Sequence, residues 1–181
     1  MTVRGVLQVH SAPPALSPHI EWAVAGVLGM AVIMPWVDQP ASPGALRAEL
    51  NWQGRPGAAA AITSALAGWN LLRFEVTEEA SPGCDAVRYS YTPDLGIFSA
   101  VTMANGDVLI PESRLRAAMA AAATPVMAGS ARPGAPGSLP DRVGSLEDEI
   151  ARLLGQPWDD ELEPFRCAGD GAPVRWLHAT G

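Results

Sequence analysis

The residues best suited to chemistry stand close together near the amino terminus: His10, Ser11, Ser17, His19 and Glu21. The spacing His-x8-His-x-Glu offers three ligands to a divalent cation if the loop between the histidines folds back. That spacing belongs to no strong metal motif, and local backbone bonding by two histidines and a serine is the plainer reading. His10 as a base for Ser11 meets a geometric objection, because neighbours in a strand point to opposite faces. Cys84 stands beside Asp85, whose charge raises a thiol pKa rather than lowering it. Tyr89 and Tyr91, with Arg88 and Asp94 nearby, are candidates to line a pocket, although strand tyrosines more often serve the core. No acid, base and nucleophile set emerges. We assign no catalytic residue, no metal and no cofactor, and keep His10, Ser11, Ser17, His19, Glu21, Tyr89 and Tyr91 as ligand-binding candidates.

The elements that must position these residues follow from periodicity. Val3 to Ser11 alternates and predicts a strand, which Pro13, Pro14 and Pro18 bring to an end. Ser17-Pro18 reads as N-cap and first helical residue, and Glu21 complements the dipole of that helix. Ile20, Val24, Val27 and Leu28 form its core stripe, and Gly29 stops it. A helix N-terminus beside a strand end is a place where an anion can bind. The apolar run Met30 to Val37 predicts a strand buried on both faces. Leu46, Ala48, Leu50 and Trp52 alternate with polar residues in a half-buried strand. Ala58 to Trp69 predicts a helix with Ile62, Ala65, Leu66 and Trp69 inward. Leu72, Phe74 and Val76 then alternate in another strand, leaving Arg4, Gln8, Arg47, Glu49, Arg73 and Glu75 on the sheet's outer face.

This order, strand-helix-strand-strand-helix-strand, predicts an α+β two-layer sandwich with a ferredoxin-like start. An antiparallel meander extends it through Val87–Thr92, Leu95–Met103 and, after the Asn105-Gly106 hairpin turn, Asp107–Ile110. A helix from Pro111 to about Ala122 turns Leu115, Met119 and Ala122 inward. The predicted domain spans residues 1–123, a Pro/Gly/Ala/Ser linker spans 124–140, and residues 141–181 form an amphipathic appendage with an acidic tail. There, Ser145 and Asp148 suggest a capping box before Leu146, Ile150, Leu153, Leu154 and Trp158.

Composition narrows the function. The chain has 181 residues, 48% of them hydrophobic, and a formal net charge of -7, which argues against a nucleic-acid surface. All 12 cationic residues are arginine. Trp22 to Val37, an uncharged and apolar run, is too short and too broken by Gly29 and Pro35 to span a membrane. The two cysteines, Cys84 and Cys167, are far apart and read as reduced thiols of a cytoplasmic protein.

The segments GVLQVHSAPPALSPHIEWAVAGVLG, LRFEVTEE, RYSYTPDLGIF and GDVLIPESRLRAA resemble an actinobacterial family, domain of unknown function 3145. The resemblance covers the first two thirds of the chain. It implies a cytosolic actinobacterial protein and carries over no activity and no site residue. The expected function is a non-catalytic accessory or regulatory module binding another protein, or forming a homo-oligomer. The tethered amphipathic helix favours that reading. The alternative is a small enzyme, or a small-molecule or anion-binding protein, using the Ser11–Glu21 junction.

Overall fold

Alternation of apolar and polar residues needs a sheet with one face covered, and the computed structural model, which describes residues 2–123 and 146–166, contains one. Its elements are β1 (Val3–Ala12), a 3₁₀ turn (Pro14–Leu16), α1 (Ser17–Leu28), β2 (Val37–Asp38), β3 (Leu46–Gly54), α2 (Ala58–Leu66), β4 (Arg73–Glu78), β5 (Ala86–Thr92), β6 (Gly96–Thr102), β7 (Val108–Leu109), α3 (Glu112–Ala123), α4 (Leu146–Leu154) and α5 (Gln156–Arg166). The seven strands form one antiparallel sheet in the order β2-β3-β1-β4-β5-β6-β7. The fold is therefore α+β.

The described residues divide into two units. One runs to Leu109 and resumes at Pro157; the other runs from Ile110 to Gln156. In this division α3 goes with α4, and α5 goes with the sheet. The predicted linker at 124–140 and the Ser145 cap lie outside the described residues.

In the sheet unit, Leu7 and Val9 of β1, Ala48 and Trp52 of β3, and Phe74 and Val76 of β4 meet Ile20 and Val24 of α1 and Ile62 and Leu66 of α2. Register requires Gly5: a Cβ there would stand 1.9 Å from the Thr77 carbonyl oxygen and 2.3 Å from the Trp52 ring. Glu78, at the end of β4, accepts hydrogen bonds from the Gly57 and Ala59 amides at 2.8 and 2.9 Å, capping α2 from a strand. Gly29 ends α1 in the left-handed region at φ 70°.

Several expectations need correction. Met30–Val37 is not a buried strand. Only Val37–Asp38 pairs, at the sheet margin, and Ile33 is 86% exposed. Glu21 replaces the ladder, accepting from the Met34 amide at 2.8 Å and the Trp36 indole at 3.0 Å. Ser17 does not cap α1: Leu16 occupies that position, and the Ser17 hydroxyl donates to the Pro14 carbonyl at 2.6 Å. Ala65 is exposed, and in α3 it is Ala118 that is buried while Leu115 and Met119 stay open. The predicted single C-terminal helix is two, divided at Gly155, whose φ of 85° an L side chain rarely adopts.

Candidate functional site

Strand alternation places Gln8, Glu75, Ser90 and Phe98 on the sheet face opposite α1 and α2, since they pair across β1, β4, β5 and β6. This face was expected to be solvated. Instead α5 covers part of it. Leu162 is fully buried, the Trp158 ring meets Phe98 at 5.2 Å between centroids, and the Trp158 indole donates to the Gly96 carbonyl at 2.9 Å.

Beneath α5 lies Glu75, 1% exposed. Its Oε1 accepts from Arg166 Nη2 at 2.6 Å, Arg88 Nη2 at 2.9 Å and Ser90 Oγ at 3.1 Å. Its Oε2 accepts from His10 Nε2 at 2.7 Å and Arg166 Nε at 2.9 Å. The Arg166 fork is therefore bidentate. Asp159, two turns before Arg166 on the same face of α5, accepts from Arg166 Nη2 at 2.7 Å and also from Arg88. Two carboxylates thus sit among two guanidinium groups and one imidazole, drawn from β1, β4, β5 and α5. At the margin Arg73 donates to Glu161 at 3.2 Å, its guanidinium 4.8 Å from the centre of the Phe165 ring.

Burial alone would push Glu75 up. The hydrogen bond and charge of His10, then those of Arg166, outweigh it and hold the carboxyl well below the usual carboxylate range. Burial likewise opposes the charge of Arg166, but Glu75 and then Asp159 raise its pKa above the ordinary arginine value. Five donors saturate the Glu75 carboxylate, whose two oxygens offer about four lone-pair positions. It has no capacity left to take a substrate proton or a metal. The chemistry of this cluster is adhesion: it fixes α5 to the sheet.

His10 stands two residues on from Gln8, on the same face, at an irregularity of β1. The register of β1 shifts between Val9 and Ser11 against β4, and between Val9 and Ala12 against β3. The bulge frees the His10 carbonyl, which accepts from the buried Gln39 amide; the same nitrogen donates to the Phe165 carbonyl at 3.2 Å. One glutamine thus joins the strand bulge to the end of α5.

The other candidates disperse. Ser11 is buried opposite Arg73, His19 is exposed, and Glu21 is engaged with Met34 and Trp36. His10, His19 and Glu21 therefore share no partner, and no group of three His, Cys, Asp or Glu positioned for a metal occurs among the described residues. Tyr91 stacks on Phe74 at 5.2 Å and Tyr89 packs against the core under the helices, where burial and the Glu78 charge raise its phenol. Arg88 points the other way, so these residues line no common pocket.

Sequence reasoning missed Glu75, Arg88, Asp159 and Arg166 as a set. One signal was present: Asp159, Leu162 and Arg166 recur at i, i+3 and i+7, so two charges share a stripe with the apolar anchor of α5. A charged residue on an anchoring stripe asks for a buried counter-charge.

No curated protein and no solved structure matches the chain. The family model described as "Protein of unknown function (DUF3145)" matches residues 6–133 and 135–179. The match thus runs past the first two thirds that carry the resemblance and takes in β1 to β7, α3, α4 and α5, and with them every residue of the buried cluster: the chain belongs to this family of unknown function.

Proposed function

We propose that the protein is a non-catalytic accessory or regulatory module that binds another protein through the segment Trp22–Val37. The supporting observation is that, although Val24 and Met34 of this run are buried in the core, four of its large apolar side chains stand at the surface. Trp22 is 78% exposed on α1, Met30 60% and Ile33 86% in the loop that follows, and Val37 52% on the marginal strand β2. Covering one such side chain contributes about 1.5–3 kcal/mol, a reason for a partner to be retained there. The β2 margin adds backbone groups that an extended segment can pair with.

The test compares capture from the source organism by the full chain and by a Trp22→Ser, Ile33→Ser variant of equal melting temperature. Loss of at least tenfold in one recovered partner is expected of the variant. Equal recovery by both, or no partner with the unaltered chain, removes the reading. The alternative, a small enzyme or small-molecule or anion-binding protein at Ser11–Glu21, has weaker support, because His10 and Glu21 are already occupied by protein groups.

The sheet order β2-β3-β1-β4, with α1 and α2 against one face, supports a ferredoxin-like core extended by β5 to β7. A cytoplasmic setting in an actinobacterium is part of this proposal. The exclusive use of arginine supports the origin, and the lack, among the described residues, of a helix long and apolar enough to cross a membrane is compatible with the setting.

A further inference from the structure

We infer that the helices α3 and α4 present a self-association surface whose occupant is a second copy of this chain. Its helices are short: α3 has 12 residues and α4 has 9, below the length at which isolated helices hold in water. They need packing, and the described residues of α3 and α4 supply little. Among them Ala118 is the one apolar side chain that is fully buried. On α4, Leu146, Ile150, Leu153 and Leu154 recur at i, i+4, i+7 and i+8, and none is buried; Leu146 is 38% and Leu154 41% exposed. On α3, Leu115 is 37% and Met119 55% exposed. An aliphatic stripe set against an alanine-rich helix leaves a face uncovered.

Charge selects the occupant. Arg114 and Arg116 flank Leu115 on α3, and both are exposed. The hold of Glu112 on Arg116 is a surface pair with both side chains 77% exposed, so it exchanges readily. Glu147 and Glu149 flank the stripe of α4. With Glu112 on α3 and Arg152 on α4 counted, one helix carries a net basic rim and the other a net acidic rim. A uniformly basic or acidic partner would match one helix and repel the other. A second copy, related by a two-fold axis, sets α3 of each chain against α4 of the other and matches both, twice. The product is a bundle of four helices, two from each chain. This inference uses none of Trp22–Val37 and stands or falls apart from the proposed function.

The experiment is native mass spectrometry and sedimentation velocity of the full chain across a dilution series. Two charge-reversed chains are added, Arg114→Glu with Arg116→Glu, and Glu147→Arg with Glu149→Arg, each checked for an unchanged sheet-unit melt. The expected result is a dimer that dissociates on dilution, self-association weakened at least tenfold in either reversed chain, and recovery as a heterodimer when the two are mixed. In that heterodimer each rim again faces its opposite. A monomer at every concentration overturns the inference and points to cover by the chain itself. A dimer indifferent to both reversals, or reversed chains that fail to pair on mixing, overturns it in favour of another surface.

Discussion

Phe74 and Glu75 are consecutive residues of β4, both almost fully buried, and held in opposite ways. Phe74 faces α1 and α2, stacks on Tyr91, and is surrounded by hydrocarbon. Glu75 faces α5 and is held by five hydrogen bonds from His10, Arg88, Ser90 and Arg166. The apolar contact is non-directional and roughly proportional to area, so residues of similar volume substitute for one another. The ionic contact is conditional. Removing one member leaves the others buried without compensation, and the whole was never a cheap route to stability. One sheet thus has a face that tolerates change and a face that does not.

The sharpest test of that contrast replaces each residue by leucine. Glu75→Leu leaves Arg88 and Arg166 to share the one carboxylate of Asp159, takes the partner of His10 away, and costs about 3–5 kcal/mol. Phe74→Leu costs less than about 1.5 kcal/mol if the core repacks around the missing volume. Urea midpoints measured on both chains check it, and equal costs would remove the contrast. Next comes Arg166→Ala. Here the protein has an escape, since α5 lifts and water reaches Glu75, so the loss stays at or below about 3 kcal/mol. Hydrogen exchange should then quicken along α5 while β1, β3 and β4 keep their protection. Uniform quickening across the sheet would mean that the two faces are one cooperative unit.

Acid gives a third view. Glu75 is held below its ordinary value of 4.5, so the unfolded chain takes up that proton first. The stabilisation is complete above about pH 4.5 and is lost progressively as pH falls below it. Wild-type stability therefore declines on acidification more steeply than that of Glu75→Gln, in which this titration is absent; parallel slopes between pH 5 and pH 3 would show that the cluster does not set the acid response.

The same contrast explains what was legible in the sequence. Period-two alternation revealed β3 and β4, and period 3.6 revealed α1 and α2, because apolar burial writes itself as a local pattern. The Asn105-Gly106 turn was readable for a different local reason, the positive φ that such a turn demands and Gly106 adopts. The Met30–Val37 run misled because periodicity reports hydrophobicity, not whether anything covers it; Glu21 holds the segment in a loop and leaves Ile33 outside. Glu75 was read as a solvated residue because its partners stand 13 positions away in Arg88, 65 in His10 and 91 in Arg166. A carboxylate answered by a guanidinium across that distance leaves no local period. Of the candidate site, His10 was singled out as a ligand-binding candidate and Arg88 as a neighbour of the tyrosines, and neither was paired with Glu75.

The mildest effect belongs to the margin of α5, where ionic contact meets water. Glu161 and Arg73 retain 22% and 23% of their side-chain exposure, and their bond is a single one at 3.2 Å. Solvent answers either charge when the other is removed, so Glu161→Gln costs no more than about 1 kcal/mol in a denaturant melt. Arg73→Ala loses in addition the contact with the Phe165 ring, about 0.5–1 kcal/mol at a partly exposed position. The double variant should therefore cost little more than Arg73→Ala alone, since the glutamate has already lost its partner. If Glu161→Gln instead matched Arg166→Ala, the margin would be as dry as the centre, and the ionic adhesion of α5 would extend across its whole footprint rather than being concentrated at Glu75.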